Sequence, residues 1–349
     1  MTQPFTPNSV RFLVDERIKQ VINQRIEQAS DIHPRVTQFW QVILDTILSG
    51  GKRMRPYLTV VGCGQVTDDS IAVAAAQELL HCAMLIHDDI IDKDYVRHGH
   101  KNVSGMYLDS YLEFTNKSNA VHFANSAAIL AGDALLSEAY QLIHSTNFSS
   151  DIKRKLNDEM GRSIFEVIGG ELLDVESSFM TELGIDPVDV YRYKTASYSF
   201  IGPLLSGVYC SNYPESLNEG IENIAKNMGI AFQVQDDLIG VFGDEQKTGK
   251  STVSDLKEGK QTILVKYHQK LMNDVQRQRF SASFGNSKSQ DDDFFALKKD
   301  MTESGAKDLT ETYANDCFNK ASDAIRTIKD PELSKRLLGL VEMLRTRSY

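Results

Sequence analysis

The sequence predicts an all-α protein, and three observations carry that prediction. Apolar residues recur at helical spacing over long stretches, strand-like alternation is rare, and only 8 of the 349 residues are proline. Proline removes a backbone donor and clashes inside a helix. Its scarcity, with Pro34, Pro56, Pro187, Pro214 and Pro331 at expected element boundaries, therefore permits long uninterrupted helices. The first stretch starts at Val10 in FLVDERIKQVINQRIEQ, and others cover 71–92, 124–143, 152–179, 217–242 and 336–344. Irregular segments fall at 94–101, 114–119, 243–260 and 281–293. The last is rich in Ser and Asp and reads as an exposed loop or disordered insertion, and residues 1–9 likewise read as flexible. Without internal repeats or a long linker, the pattern favours one helical domain spanning 1–349, a size at which a substantial core is available.

Composition narrows the partners. A formal charge of −10 and a pI near 5.3 disfavour non-specific binding to nucleic acid or to an anionic membrane, so any anionic ligand must meet a local basic cluster. Cys63, Cys82, Cys210 and Cys317 lie far apart with no Cys-x-x-Cys spacing, which fits buried reduced thiols and a cytoplasmic setting. The start, MTQPFTPNSV, lacks the charged and apolar regions of a signal peptide, and no apolar stretch looks long enough to span a membrane.

Carboxylates supply the strongest chemical signal. In QELLHCAMLIHDDIIDKD, Asp88, Asp89 and Asp92 follow a nearly unbroken apolar run. At about 100° per residue, Asp88 and Asp92 lie ~40° apart and one turn from each other. Carboxylates this close repel, and a hard divalent cation, Mg²⁺ above all, would compensate, particularly one shared with ligand phosphates. The plainer alternative is a solvated helix end. Asp236 and Asp237 in IAFQVQDDLIGVFGDEQ repeat the arrangement, with Gln233 one turn before Asp236. Two such pairs could face each other across a helical bundle and hold metals between them. Asp68, Asp69 and Asp291–Asp293 sit in polar surroundings and read as solvated.

Basic residues come in compact groups: Lys52, Arg53 and Arg55 in GGKRMRP, Arg97 with His98, Lys194 in YKTAS, and Lys247, Lys250, Lys257 and Lys260. The glycines of GGKRMRP would let a backbone approach an anion. Each group alone is ordinarily a solvated surface charge. Combined with two acidic motifs, they suggest a multi-metal phosphate clamp. GDEQKTGKS imitates a nucleotide-binding P-loop, but five residues separate its glycines instead of four and a helix precedes it.

Taken in order, GGKRMRP, DDIID, AGDALL, GGELLD, YKT, FQVQDDLIG, TGKST and EGK resemble the trans-isoprenyl diphosphate synthases over about 47–266. The resemblance implies long helices around a deep central cavity, a homodimer, and condensation of isopentenyl diphosphate with an allylic diphosphate. It assigns Asp88 and Asp92 to two Mg²⁺ ions and Asp236 to a third, with Asp89 and Asp237 in support. Arg97, Lys194 and Lys250 would contact the allylic diphosphate, with Lys260 nearby, and Lys52, Arg55 and His81 the other diphosphate. Glu171, Asp174, Thr195 and Gln233 would line the cavity, the Thr195 carbonyl facing the developing cation. Membrane contact would be no more than transient, for product release.

Two departures from the family pattern stand out. His98 occupies the place of a second arginine and is a poorer phosphate ligand, and the second motif ends in Gly240 where many members carry Asp. Leu80, Ala83 and Met84, one to two turns before Asp88, are not bulky aromatics, which points to products of C20 or longer. If a deeper side chain sets the limit instead, they are simply core. A farnesyl-length synthase is the nearest alternative. A class I terpene cyclase would need no GGKRMRP site, and a non-catalytic partner subunit would typically have lost an acidic motif.

Overall fold

Short side chains that offer an oxygen to the first free backbone N–H groups start most of the helices. Thr6 and Thr67 form reciprocal capping boxes with Ser9 and Ser70, and Asn102, Asn116, Asn273 and Asp330 cap four more helices. The computed structural model describes residues 5–97, 99–179, 184–211, 213–244, 251–286 and 288–346. Among these the only sheet is a hairpin pairing β1 (Val96–Arg97) with β2 (His100–Lys101). The all-α prediction holds.

Packing groups the chain into two compact units, Met1–Glu159 with Pro203–Tyr213, and Met160–Gly202 with Pro214–Tyr349. The division falls inside a helix, Ser150–Phe179, so no linker marks it in the sequence. The first unit contains α1 (Pro7–Ser30), α2 (Pro34–Leu48), α3 (Met54–Cys63), α4 (Asp68–Ile91), α5 (Val103–Leu112) and α6 (Lys117–Ser145). It also takes the start of α7 (Ser150–Phe179).

Helix α4 is the centre of this unit and packs against α1, α3 and α6. Val73, Ala74, Ala75, Ala76, Leu79, Leu80 and Ala83 are fully buried, so this helix is apolar on all sides, as a core helix must be. It is also the one described helix long and apolar enough to cross a membrane, contrary to the expectation that no stretch would qualify. Its apolar window is, however, 78% buried within the protein.

In the second unit α7 is followed by α8 (Pro187–Val190), which runs into a π-helix, Tyr191–Ile201; α9 (Gly202–Tyr209) comes next in the chain and from Pro203 onward belongs to the first unit. Next come α10 (Asn218–Phe242), α11 (Ser254–Glu258), α12 (Ile263–Leu271), α13 (Asp274–Ser283), α14 (Asp291–Glu303), α15 (Ala306–Arg326) and α16 (Pro331–Arg345). Helix α10 packs against the π-helix and α15. Val241, Leu256, Leu264, Phe280, Phe294, Leu297 and Met301 close a cluster under α11–α14.

Two segments differ in part from expectation. Within 281–293 the described residues 284–286 and 288–290 lie outside helices, as expected, whereas Ser281–Ser283 finish α13 and Asp291–Asp293 form the first turn of α14. The acidic residues that suggested solvation are favoured there by the positive end of the helix dipole. Phe284 stacks on Phe280 at 4.5 Å, tying down the intervening turn. Within 1–9, helix α1 already begins at Pro7, and Phe5 packs edge-on against Tyr57.

His268 on α12 is fully buried beside Phe280. Its Nδ1 meets the Ser304 hydroxyl at 3.0 Å, and its Nε2 has no partner among the described residues. Burial pushes its pKa below the ordinary 6.5, against the weaker opposing effect of Asp300. The folded state therefore binds fewer protons than the unfolded one, so stability from this site is complete above pH ~6.5 and is lost as the pH falls toward the folded value. Urea titrations of wild type and His268→Leu between pH 7.5 and 5 should show the variant gaining relative stability on acidification. A pH-independent difference would contradict this.

Candidate active site

The buried run of α4 ends where its carboxylates begin. Asp89 is 3% exposed, Asp88 is half-buried, and Asp92 is exposed as the C-cap residue. Negative charge is disfavoured at a helix C-terminus, so this end needs compensation. Arg97, carried back by the β-hairpin, provides part of it. Its Nε donates to Asp89 Oδ1 at 2.7 Å, and its Nη2 lies 2.5 Å from the same oxygen and 3.3 Å from Asp88 Oδ2. Burial raises the Asp89 pKa, and the Arg97 hydrogen bond and charge oppose that shift. Asn102 pins the hairpin, donating to the Asp94 carbonyl and accepting from the Gly105 N–H, both at 2.8 Å. Asp94 is held in turn by its N–H, which donates to the Asp89 carbonyl. His98 lies outside the described residues.

A small cavity of about 50 Å³ joins Gly51, Arg53, Glu78, His81, Asp89 and Arg97. Of the three cations of GGKRMRP, Lys52 is exposed, Arg55 half-buried and Arg53 buried. Leu80 and Ala83 are both 0% exposed, whereas Met84, one turn before Asp88 on the same face, is half-buried. Of the expected length-determining residues, Met84 is thus the one that can be enlarged without invading the core.

The second unit sorts its acidic pair in the same way: Asp236 is exposed and Asp237 is 2% exposed. Tyr191 Oη donates a short hydrogen bond to Asp237 Oδ2 and accepts from the Ile263 N–H at 2.9 Å. Gln233 donates to Asp237 Oδ1 at 2.9 Å and accepts from the Thr195 hydroxyl at 2.7 Å. Burial pushes the Asp237 pKa up to about 6, while the Lys260 charge pulls it down. The charge of Lys260 is favoured by Asp255, Asp237 and Asp174, which outweigh its burial. Lys194 Nζ bridges Asp174 at 2.5 Å and Glu171 at 3.0 Å. The expected residues Lys194, Thr195, Gln233, Lys260, Glu171 and Asp174 thus gather within this unit, and Lys250 lies outside the described residues.

Sequence reasoning missed three features. Tyr191, adjacent to the recognised YKT run, fastens Asp237, and an apolar-looking aromatic at helical spacing carries no sign of that role. The π-helix is the second. Its widened turn carries Lys194 and Thr195, and π-segments frequently mark functional sites. It lies so close to α7 that a Cβ on Gly170 would meet the Lys194 backbone nitrogen at 2.1 Å. The third concerns Gly240, where a Cβ would lie 2.6 Å from Asp255 Oδ2. A carboxylate therefore does stand beside the end of the second motif, supplied from α11. A larger cavity of about 230 Å³, lined by Asp186, Gln261, Thr262 and Lys266, contains none of the expected catalytic residues.

With both acidic pairs, the hairpin arginine and the YKT helix located, the comparison with known proteins is decisive. The family model described as polyprenyl synthetase matches residues 37–301. The chain belongs to that family. It is 30% identical over 289 residues to a short chain isoprenyl diphosphate synthase of Methanocaldococcus jannaschii, covering 80% of each chain. It is 29% identical over 310 residues to a geranylfarnesyl diphosphate synthase of Aeropyrum pernix, covering 85% of this chain and 90% of that one. Among solved structures, a geranylgeranyl pyrophosphate synthase from Corynebacterium glutamicum, complexed with isoprenyl diphosphate and magnesium, superposes with a TM-score of 0.89. That match has 26% identity and covers 99% of this chain and 100% of the other. Family membership makes prenyl transfer the activity of this chain.

The neighbouring glycines of α7 provide a controlled test of the π-helix contact. Gly170→Ala forces backbone apart, whereas a Cβ on Gly169 meets nothing within 4 Å. Gly170→Ala should cost about 1–3 kcal/mol of stability, as overpacking does, together with most turnover. Gly169→Ala should be near wild type in both thermal unfolding and condensation assays.

Proposed function

We propose that this polyprenyl synthetase family member condenses isopentenyl diphosphate with an allylic diphosphate to give a trans-prenyl diphosphate of C20 or longer. The observation that carries this reading is the end of α4. A buried apolar helix delivers Asp88 and Asp92 to accessible positions one turn apart, and a hairpin arginine already neutralises the third carboxylate, Asp89. The product range draws support from the geranylfarnesyl and geranylgeranyl relatives and from the absence of an aromatic at 83 or 84.

The donor set fits Mg²⁺. Asp88, Asp92 and Asp236 offer hard carboxylate oxygens at half-buried or exposed positions. Among the described residues no three His, Cys, Asp or Glu side chains converge into a closed cage. That suits an ion held by one or two carboxylates, waters and substrate phosphates. We assign about three Mg²⁺ ions to these ligands in the substrate-bound enzyme, as the resemblance implies. When bound, they would supply charge neutralisation to the departing diphosphate.

The chain's own residues do the rest. Arg97 and Lys194 carry fixed positive charge toward the leaving group, which develops negative charge as the allylic carbon–oxygen bond breaks. Lys250 and Lys260 are assigned to the same anion. Lys52, Arg55 and His81, with His98 in place of a second arginine, hold the diphosphate of the attacking substrate. The Thr195 carbonyl faces the allylic cation, with Gln233 beside it. Leu80, Ala83 and Met84 wall the growing chain from water. The double bond of isopentenyl diphosphate attacks the cation, a carbon–carbon bond forms, and a proton leaves to the released diphosphate, restoring an allylic product. We propose that residues 1–349 work as one catalytic domain in a cytoplasmic homodimer of the 39.1 kDa chain.

Purified protein with Mg²⁺, isopentenyl diphosphate and primers of graded length should yield condensation products analysable by chromatography. No product with any primer would sink the enzyme assignment. Asp88→Ala and Asp92→Ala should lose at least ~10³-fold in turnover while retaining the wild-type circular dichroism spectrum, because their side chains are not core. Met84→Phe should shorten the product without loss of stability; an unchanged product would place the length limit elsewhere.

A further inference from the structure

Arg53 is a cation that the diphosphate reading does not use. It stands between Lys52 and Arg55, yet its side chain is only 3% exposed. Its guanidinium spends its donors on the protein: Nε to Asp15 Oδ1 on α1 at 2.7 Å, Nη1 to Glu78 Oε1 on α4 at 2.8 Å, and Nη2 to the Ile47 carbonyl on α2 at 2.7 Å. Burial works against its charge, and Glu78 and Asp15 more than offset that. Glu78 is itself 2% exposed, so the pair is desolvated on both sides.

The backbone here is unusual as well. Arg53 adopts φ 50° and ψ 43°, a left-handed conformation that costs a side-chain-bearing residue about 1 kcal/mol or more and persists only where its surroundings enforce it. The turn directs the chain into α3, with Lys52 exposed just before it and Arg55 half-buried just after. Gly51, at φ +104°, completes the device. A Cβ there would lie 2.9 Å from Arg53 Nη1, so the missing side chain makes room for the guanidinium. The second glycine of GGKRMRP thus serves Arg53, where the sequence suggested only backbone approach to an anion.

We propose that Arg53 is a positioning residue: anchored to three helices, it holds the left-handed turn that aims Lys52 and Arg55 at the diphosphate of isopentenyl diphosphate, without touching the substrate. The proposal rests on the assignment of that diphosphate to Lys52 and Arg55. Lysine cannot reproduce a planar three-way anchor, so Arg53→Lys keeps the charge and releases the turn.

The test is steady-state kinetics with each substrate varied separately, on variants whose folding is checked by thermal unfolding. Arg53→Lys should raise KM for isopentenyl diphosphate roughly tenfold, with kcat and the allylic KM within about threefold of wild type. Gly51→Ala should shift the same constant in the same direction. Should Arg53→Lys fail to fold, Asp15→Asn, which weakens one anchor and leaves Glu78 in place, should give a smaller rise confined to that KM. An unchanged KM in the folded variants, or equal losses in kcat and both KM values, overturns the proposal. Lys52→Ala separates the two levels: if it leaves KM for isopentenyl diphosphate unchanged, the assignment of the site fails. If it raises that KM while Arg53→Lys does not, only the positioning role fails.

Discussion

The constraint on which the first unit depends is the placement of carboxylates at the C-terminal end of a helix whose body is mostly buried. The body of helix α4 is held mainly by buried apolar contacts, which limits how far its end can shift to relieve repulsion among Asp88, Asp89 and Asp92. The dipole at that end adds to the cost. Relief comes from opposite charge brought back by the chain: the hairpin returns Arg97 to Asp89 and Asp88, and Asn102 keeps the hairpin in place. Asp92, at the C-cap of the same helix, is the exposed member of the three.

The second unit meets a related problem with different means. Asp237 is buried, and its partners among the described residues do not include an arginine. It is stabilised by hydrogen bonds from Tyr191 and Gln233 and by the charge of Lys260, all of which oppose the upward push of burial on its pKa. Because Gln233 also accepts from Thr195, the buried carboxylate fixes the π-helix that carries Lys194. In both units, one carboxylate of each adjacent pair is buried and bonded within the protein while the other is more accessible. Adjacent residues on a helix point about 100° apart, which makes this division of labour automatic for an Asp-Asp dipeptide on an amphipathic face.

Much of this was legible in the residues. Helical periodicity gave the fold class, and the order of the acidic and basic motifs indicated the family and most of the candidate site. The segment 281–293 misled only at its two ends, because Ser- and Asp-rich composition serves equally for a solvated loop and for the end of one helix and the first turn of the next. Arg53 misled for the opposite reason. A cation beside two other cations suggests shared function, and its burial depends on Asp15, Glu78 and Ile47, which are scattered over three helices.

The sequence by itself determined where the helices run and which side chains carry charge, because periodicity, capping and proline placement are local properties. Only the tertiary structure decided which charges are spent internally and which stay available. Arg53 and Arg55, or Asp236 and Asp237, are chemically identical within each pair and differ only in what surrounds them. Burial, a left-handed turn, a π-helix beside Gly170 and a carboxylate from α11 beside Gly240 are all consequences of residues far apart in the chain coming together. Local pattern cannot encode them, because the desolvation and pairing that set each charge's role exist only once the partner helices have packed.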